Sequence, residues 1–205
     1  MKITSITHQV KSRDRYSISV DGIYSFSLSE LALLNSKIVN GQELDQNTLK
    51  ELMSLSDDDK LYNQTLRLVA SRPKTEWEVK FYLERKGASP ALINTILNKL
   101  RDIRLLDDNK YAENFVNNKQ LLHPASRRKI TLDLKKKHIP QEAIDNVLES
   151  EPENDQSALV SIIERKRRQT KYQDNFKLMQ YLARQGFNYS DIKSALANIE
   201  EDPIT

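Results

Sequence analysis

One spacing is written three times in this chain, and it constrains the fold more than any other feature. Val79, Leu83, Ile93 and Leu97 are followed by Ile130, Leu134, Ile144 and Leu148, then by Leu178, Leu182, Ile192 and Leu196. The offsets are 4, 10 and 4 residues in every copy, and the copies begin 51 and then 48 residues apart. An offset of four stacks two apolar side chains on one face of a helix, and the longer step leaves room for a turn before a second helix repeats the pair. Self-similarity at such a period marks a tandem helical array. Arrays of this kind present extended surfaces to large partners and seldom enclose catalytic pockets.

Each copy reads as three helices. They cover 58–71, 75–86 and 90–104 in the first copy, 108–121, 126–137 and 140–150 in the second, and 155–169, 174–185 and 189–199 in the third. Local signals agree with these limits. Thr75 and Glu78 form a capping box, Ser89-Pro90 supplies an N-cap and a first-turn proline, and Gly87 and Gly186 sit where a left-handed C-cap residue belongs. Asp57-Asp58-Asp59 and Asp107-Asp108 are the expected N-caps of the first helices, and Pro140 opens the last helix of the second copy. Trp77 and Phe81 fall on the side of their helix away from Val79 and Leu83. Their counterparts are Arg128 and Leu132, then Phe176 and Gln180. A helix apolar on two faces is sandwiched, so Trp77 and Phe81 are expected to pack on the N-terminal segment or the next repeat, with a partner-binding aromatic patch as the other reading.

Residues 1–56 follow a different period. Tyr16, Ile18 and Val20 alternate with serines, as do Tyr24, Phe26 and Leu28, and Asp21-Gly22 between them is a two-residue hairpin turn. Ile3 to Val10 pairs with them through a turn at Ser12-Arg13-Asp14, giving a three-stranded meander that needs helices to cover it. Ser29 caps a short helix through Leu34, Asn40-Gly41 turns the chain, and Asp45 or Asn47 caps a helix to about Leu55 with Leu49, Leu52 and Met53 inward. The expected fold is therefore mostly α. An α+β segment at 1–56 precedes three-helix repeats at 57–106, 107–152 and 153–205, laid end to end as an elongated, curved array.

Composition excludes several chemistries. With no cysteine there are no disulfides, thiolate nucleophiles or Cys-ligated zinc. The four glycines are isolated, so neither a phosphate-binding loop nor a dinucleotide fingerprint can form. His8, His123 and His138 lack metal-ligand spacing, and His138, behind three lysines at a helix end, reads as a contact to the helix dipole. The aspartate clusters could hold magnesium, but capping explains them more simply. No catalytic, metal or cofactor site is expected. The N-terminus has no signal-peptide core, and no apolar run approaches the ~20 residues of a membrane span. A cytoplasmic protein is the expectation.

The net charge of +3 lies entirely in residues 57–106, yet short windows elsewhere are strongly polarised. Arg127-Arg128-Lys129, Lys135-Lys136-Lys137 and Arg165-Lys166-Arg167-Arg168 stand against acidic stretches at Asp57-Asp58-Asp59, Glu149-Ser150-Glu151 and Glu200-Glu201-Asp202. The three lysines end a helix, where positive charge is favourable, but Arg127, Arg128 and Lys129 begin that same helix, where it is not. These basic groups are either a solvated face or a surface for an anionic partner, carboxylate or phosphate.

Ser71-Arg72-Pro73-Lys74-Thr75-Glu76-Trp77-Glu78-Val79, then Leu83 and Lys86-Gly87, precede Leu106-Asp107-Asp108-Asn109-Lys110-Tyr111-Ala112-Glu113-Asn114-Phe115-Val116. These segments resemble the RecX family, whose pattern here reads R-P-R-S/T-E-x-E-[VL], L-x-x-K-G and L-[DN]-D-x-x-[YF]-A-x-x-[FW]-V. The N-terminal strands are similar to those of the longer RecX proteins of Gram-positive bacteria. Lys74 departs from the commoner arginine, and Ala125 and His138 from frequent glycines. The resemblance implies a regulator without catalysis. It would be a monomer that binds the RecA filament on single-stranded DNA along its helical groove, limiting filament growth, ATP hydrolysis, strand exchange and the co-protease activity behind the SOS response. Arg72, Lys74 and the basic groups of the second and third repeats are the expected contacts to filament protein or directly to its DNA. The alternative is a stand-alone helical DNA-binding protein whose basic helices grip phosphates.

Overall fold

The computed structural model describes every residue except 11, 13, 123, 151–154 and 202–205, together with the side chains of 200 and 201. Arg13, His123, Glu151 and the acidic side chains expected at 200–202 therefore lie outside the described residues. Among those described are three strands and ten α-helices, in two compact units.

The first unit comprises residues 1–73 and 79–105. Strands β1 (Ile3–His8), β2 (Arg15–Val20) and β3 (Ile23–Ser29) form an antiparallel meander in that order. Asp21 and Gly22 both take positive φ, 49° and 83°, as the two-residue turn requires. Ile18 pairs with Phe26 but Ser19 with Tyr24, so Ser25 is an extra residue in β3. This bulge corrects the expected alternation: Phe26 and Leu28 are buried, whereas Tyr24 opposes outward-facing Ser19 and is 56% exposed.

Helix α1 (Glu30–Ser36) is capped by Ser29 and runs slightly past Leu34. Asp45 caps α2, but α2 extends from Gln46 to Ser71 without a break. The expected end near Leu55 and restart at Asp57-Asp58-Asp59 are therefore wrong. The stretch holds neither glycine nor proline, and its polar side chains serve the sheet instead of capping a helix. The Ser56 hydroxyl donates to the Ser27 carbonyl at 2.7 Å. Asp59 accepts from Arg15 Nη1 and from the Ser29 N–H, both at 2.8 Å, and from the Ser29 hydroxyl at 2.6 Å. The first half of α2 covers the sheet and its second half is the first helix of the first repeat. Leu52 is buried and Leu49 packs on the same core, but Met53 points outward, 43% exposed. Most of α3 (Glu76–Arg85) and all of α4 (Pro90–Asp102) complete the unit, burying Val79, Leu83, Ile93, Ile96, Leu97 and Leu100.

The second unit comprises 74–78, the first turn of α3, and 106–205. Helices α5 (Asp108–Leu122), α6 (Arg127–Lys136) and α7 (Gln141–Ser150) enclose one core. A second core lies within α8 (Asp155–Arg167), α9 (Asn175–Arg184) and α10 (Tyr189–Glu201). The third repeat departs from its expected form at one point. Its first helix ends at Arg167, and a 3-10 turn at Thr170–Tyr172 buries Tyr172. Eleven of the twelve residues in the tripled spacing are buried, and Leu148 is partly buried against the same core as its neighbours.

Candidate partner-binding surface

The second unit contains two joints between successive repeats, built on one plan. At each, the N-terminus of a middle helix meets the following repeat. The Glu76 N–H, at the start of α3, donates to Asp108 Oδ1 at 2.9 Å, and the Arg127 N–H, at the start of α6, donates to Asp155 Oδ1 at 2.7 Å. Asp108 and Asp155 are both the first residue of the next repeat's first helix. Each carboxylate thus satisfies one of the open N–H groups of a neighbouring helix and places negative charge at the positive end of its dipole. Asp107, one residue earlier, caps α5 itself by accepting from the Lys110 N–H.

The second contact in each joint reaches the end of the next repeat's middle helix, and here the two differ. In the first joint the Trp77 indole stacks on the His138 ring with centroids 4.0 Å apart, and Glu78 Oε1 lies 2.8 Å from Lys137 Nζ. His138 is not the dipole contact expected of it: it takes the left-handed C-cap conformation, φ 58°, with its ring held against Trp77. In the second joint the Ser126 N–H donates to the Gln185 carbonyl at 3.0 Å. The backbone there approaches so closely that a Cβ on Gly186 would lie 2.4 Å from Ser126 Oγ and 2.8 Å from Lys129 Cβ. Trp77 thus packs on the next repeat while keeping 40% exposure, and Phe81 is 46% exposed with the Arg85 guanidinium over its ring.

These joints sort the basic residues. Lys74 lies 3.9 Å from Glu78, and Lys137 pairs with the same carboxylate. Burial pushes the Glu78 carboxyl upward, but hydrogen bonds from Lys137 and the Thr75 N–H, with the charges of Lys137 and Lys74, outweigh it and hold it below its ordinary value. Lys129 pairs with Asp133 at 3.0 Å, and Lys119 reaches the same carboxylate at 3.3 Å. Burial raises Asp133 too, and the hydrogen bonds and charges of Lys129 and Lys119 reverse the shift. Lys166 lies over the Tyr172 and Tyr181 rings, and Arg167 donates to the Gln173 carbonyl and Asn175 Oδ1. Arg127 is half-buried at the second joint. Six candidates remain exposed and carry no ion pair among the described residues: Arg72, Arg128, Lys135, Lys136, Arg165 and Arg168. No group of three or more acidic or histidine side chains converges among the described residues as a metal site would require, and no described helix is long and apolar enough to cross a membrane.

The one signal of the Asp108 and Asp155 contacts in the chain is that both aspartates open the first helix of their repeat. Trp77 with His138, Glu78 with Lys137 and Arg15 with Asp59 pair across 44 to 61 residues and leave no local trace.

Four domain descriptions match this chain. They are the Regulatory protein RecX N-terminal domain over residues 1–45 and the first, second and third RecX three-helix domains over 62–100, 107–148 and 153–196. The chain belongs to the RecX family. Regulatory protein RecX of Listeria welshimeri is 28% identical over 200 residues, covering 95% of this chain and 74% of the relative. That of Geobacillus sp. strain WCH70 is 25% identical over 209 residues, covering 98% and 77%. A crystal structure of regulatory protein RecX superposes with a TM-score of 0.71 at 27% identity, covering 94% of this chain and 98% of that one. RecX from Lactobacillus salivarius gives 0.59 at 24% identity over 71% of this chain and 98% of its own, a likeness of fold alone. The relatives' name makes this a family of regulatory proteins, and the mostly helical architecture of three-helix domains behind a small sheet is that family's.

Proposed function

We propose that this chain is a non-catalytic regulator of the RecA recombinase that binds the RecA filament on single-stranded DNA and limits its growth, ATP hydrolysis, strand exchange and co-protease activity. Family membership supports the partner. The observation that carries the contact surface is the sorting of basic residues: Arg72, Arg128, Lys135, Lys136, Arg165 and Arg168 are exposed and unspent on internal pairs among the described residues. Lys74, Arg127, Lys129, Lys137, Lys166 and Arg167 act mainly by holding the repeats that present them. The segments 57–106, 107–152 and 153–205 serve as separate contact modules on a filament whose protomers repeat. Modest contacts linked in one chain reinforce one another through effective concentration. The working form is a cytoplasmic monomer without a cofactor.

The test is a charge reversal confined to exposed positions, Arg128→Glu with Lys135→Glu and Lys136→Glu. Lys129 is left intact, because reversing it would set a second carboxylate four residues before Asp133 in place of their ion pair. The variant should keep its helical circular dichroism and bind RecA filaments about tenfold more weakly, with a shallower salt dependence. Equal binding by the variant would remove these residues from the interface. Tight, steeply salt-dependent binding to bare DNA, with no effect on RecA, would favour the stand-alone DNA-binding reading instead.

A further inference from the structure

The first unit holds a groove that the basic surface does not use. It has a volume of about 780 Å³ and runs between α1, α2 and α4. Leu31, Leu55, Tyr62, Leu66, Leu92 and Ile96 give it an apolar lining. Two of these are unusually open, Leu31 at 65% and Leu55 at 39% exposed. Helix α1 is apolar at Leu31, Ala32, Leu33 and Leu34, yet none of its residues is buried.

The charges along the groove are mostly of one sign. Among the described residues, Asp14, Glu30, Asp58 and Asp59 line it against one cation, Lys99, whose ammonium lies over the Tyr62 ring. Asp59 is spent on Arg15 and Ser29, which leaves Asp14, Glu30 and Asp58 as the other acidic residues of the lining. Asp58 has no hydrogen-bond or ion-pair partner among the described residues. Burial first, then the neighbouring Asp57, raises its carboxyl above the ordinary value, as expected of an acid that lacks a cation.

An apolar floor with an acidic edge selects among occupants. Nucleic acid is repelled by the carboxylates. An amphipathic helix whose apolar stripe is flanked by Lys or Arg meets both features, as in other recognition of helices by grooves. We infer that this groove docks a basic amphipathic helix of a protein partner, with Leu31, Leu55 and Leu92 receiving its apolar side chains and Glu30 and Asp58 its cations. The surface is opposite in sign to the basic patches of the later repeats, so the inference stands whether those patches touch protein or DNA.

The probe is a fluorescein-labelled synthetic peptide of about four helical turns, with leucines on one face and lysines flanking them. A second peptide replaces every lysine with glutamate. Titrated with the full chain, the basic peptide should show a saturable rise in anisotropy and the acidic one none. Leu31→Lys alters an exposed residue and should weaken binding of the basic peptide about tenfold or more, with unchanged circular dichroism. Asp58→Lys should do the same by charge alone. Absence of binding by the basic peptide, equal binding of the two peptides, or binding indifferent to both substitutions would overturn the inference. So would concentration-dependent self-association abolished by Leu31→Lys, which would assign the groove to a second copy.

Discussion

Gly87 and Gly186 follow the middle helices of the first and third repeats at equivalent positions, with φ of 78° and 91°, yet they face different neighbours. A Cβ on Gly87 would meet nothing within 4 Å, whereas one on Gly186 would collide with Ser126 and Lys129. Gly87→Ala should therefore cost only the left-handed backbone, about 1–2 kcal/mol. Gly186→Ala should cost roughly 2–4 kcal/mol, because overpacking adds to the same strain. Urea unfolding of the two variants reads the difference directly. The left-handed role of both was legible from the glycine after each apolar period. The close approach at Gly186 was not, because it depends on where a helix 60 residues away comes to rest. The second-repeat counterpart, His138, takes the same conformation without glycine's freedom and stacks on Trp77. A double-mutant cycle of Trp77→Ala and His138→Ala should return a coupling of about 0.5–1.5 kcal/mol; additive losses would show that the rings do not support each other. Glu78 adds a pH dependence. Its folded value is depressed below the ordinary 4.5, so its contribution is complete above that value and is lost as pH falls through the folded one. Stability followed down through the carboxylate range should fall less steeply in Glu78→Gln than in the unaltered protein.

At the scale of elements, periodicity was the reliable guide and aspartate the misleading one. The tripled spacing marks the helices that enclose each core, because apolar burial sets that spacing. The same logic could not see that α2 runs unbroken through Asp57-Asp58-Asp59, since three acids before a helical run look the same whether they cap a new helix or ride within a long one. The structure separates their roles. Asp59 is 8% exposed and bound to Arg15, itself 11% exposed, while Asp57 is 78% exposed and pairs with Lys60 on its own helix turn. Asp59→Ala should destabilise by about 2–4 kcal/mol through the buried cation it abandons, and Asp57→Ala by no more than about 0.5 kcal/mol. Equal effects in thermal or urea unfolding would contradict the clamp between α2 and the sheet. The bulge at Ser25 is a second case: strict alternation placed Tyr24 inward, and one extra residue turned it to solvent.

For the whole molecule, the distribution of charge carries the functional argument. The basic clusters were visible as runs of letters, but a run does not say which members are free to meet a partner. Half of the twelve candidates turn inward to Glu78, Asp133, tyrosine rings or neighbouring backbone, and the others stay exposed. Partner contact is thus proposed for the exposed group, and the inward group holds the scaffold. The most direct test of this account is the steady-state ATP hydrolysis of the cognate RecA on single-stranded DNA, titrated with this protein and with the Arg128→Glu, Lys135→Glu, Lys136→Glu variant. The account predicts saturable inhibition by the unaltered protein and a curve shifted about tenfold to higher concentration for the folded variant. Unchanged hydrolysis at every concentration of the folded, unaltered protein would contradict it.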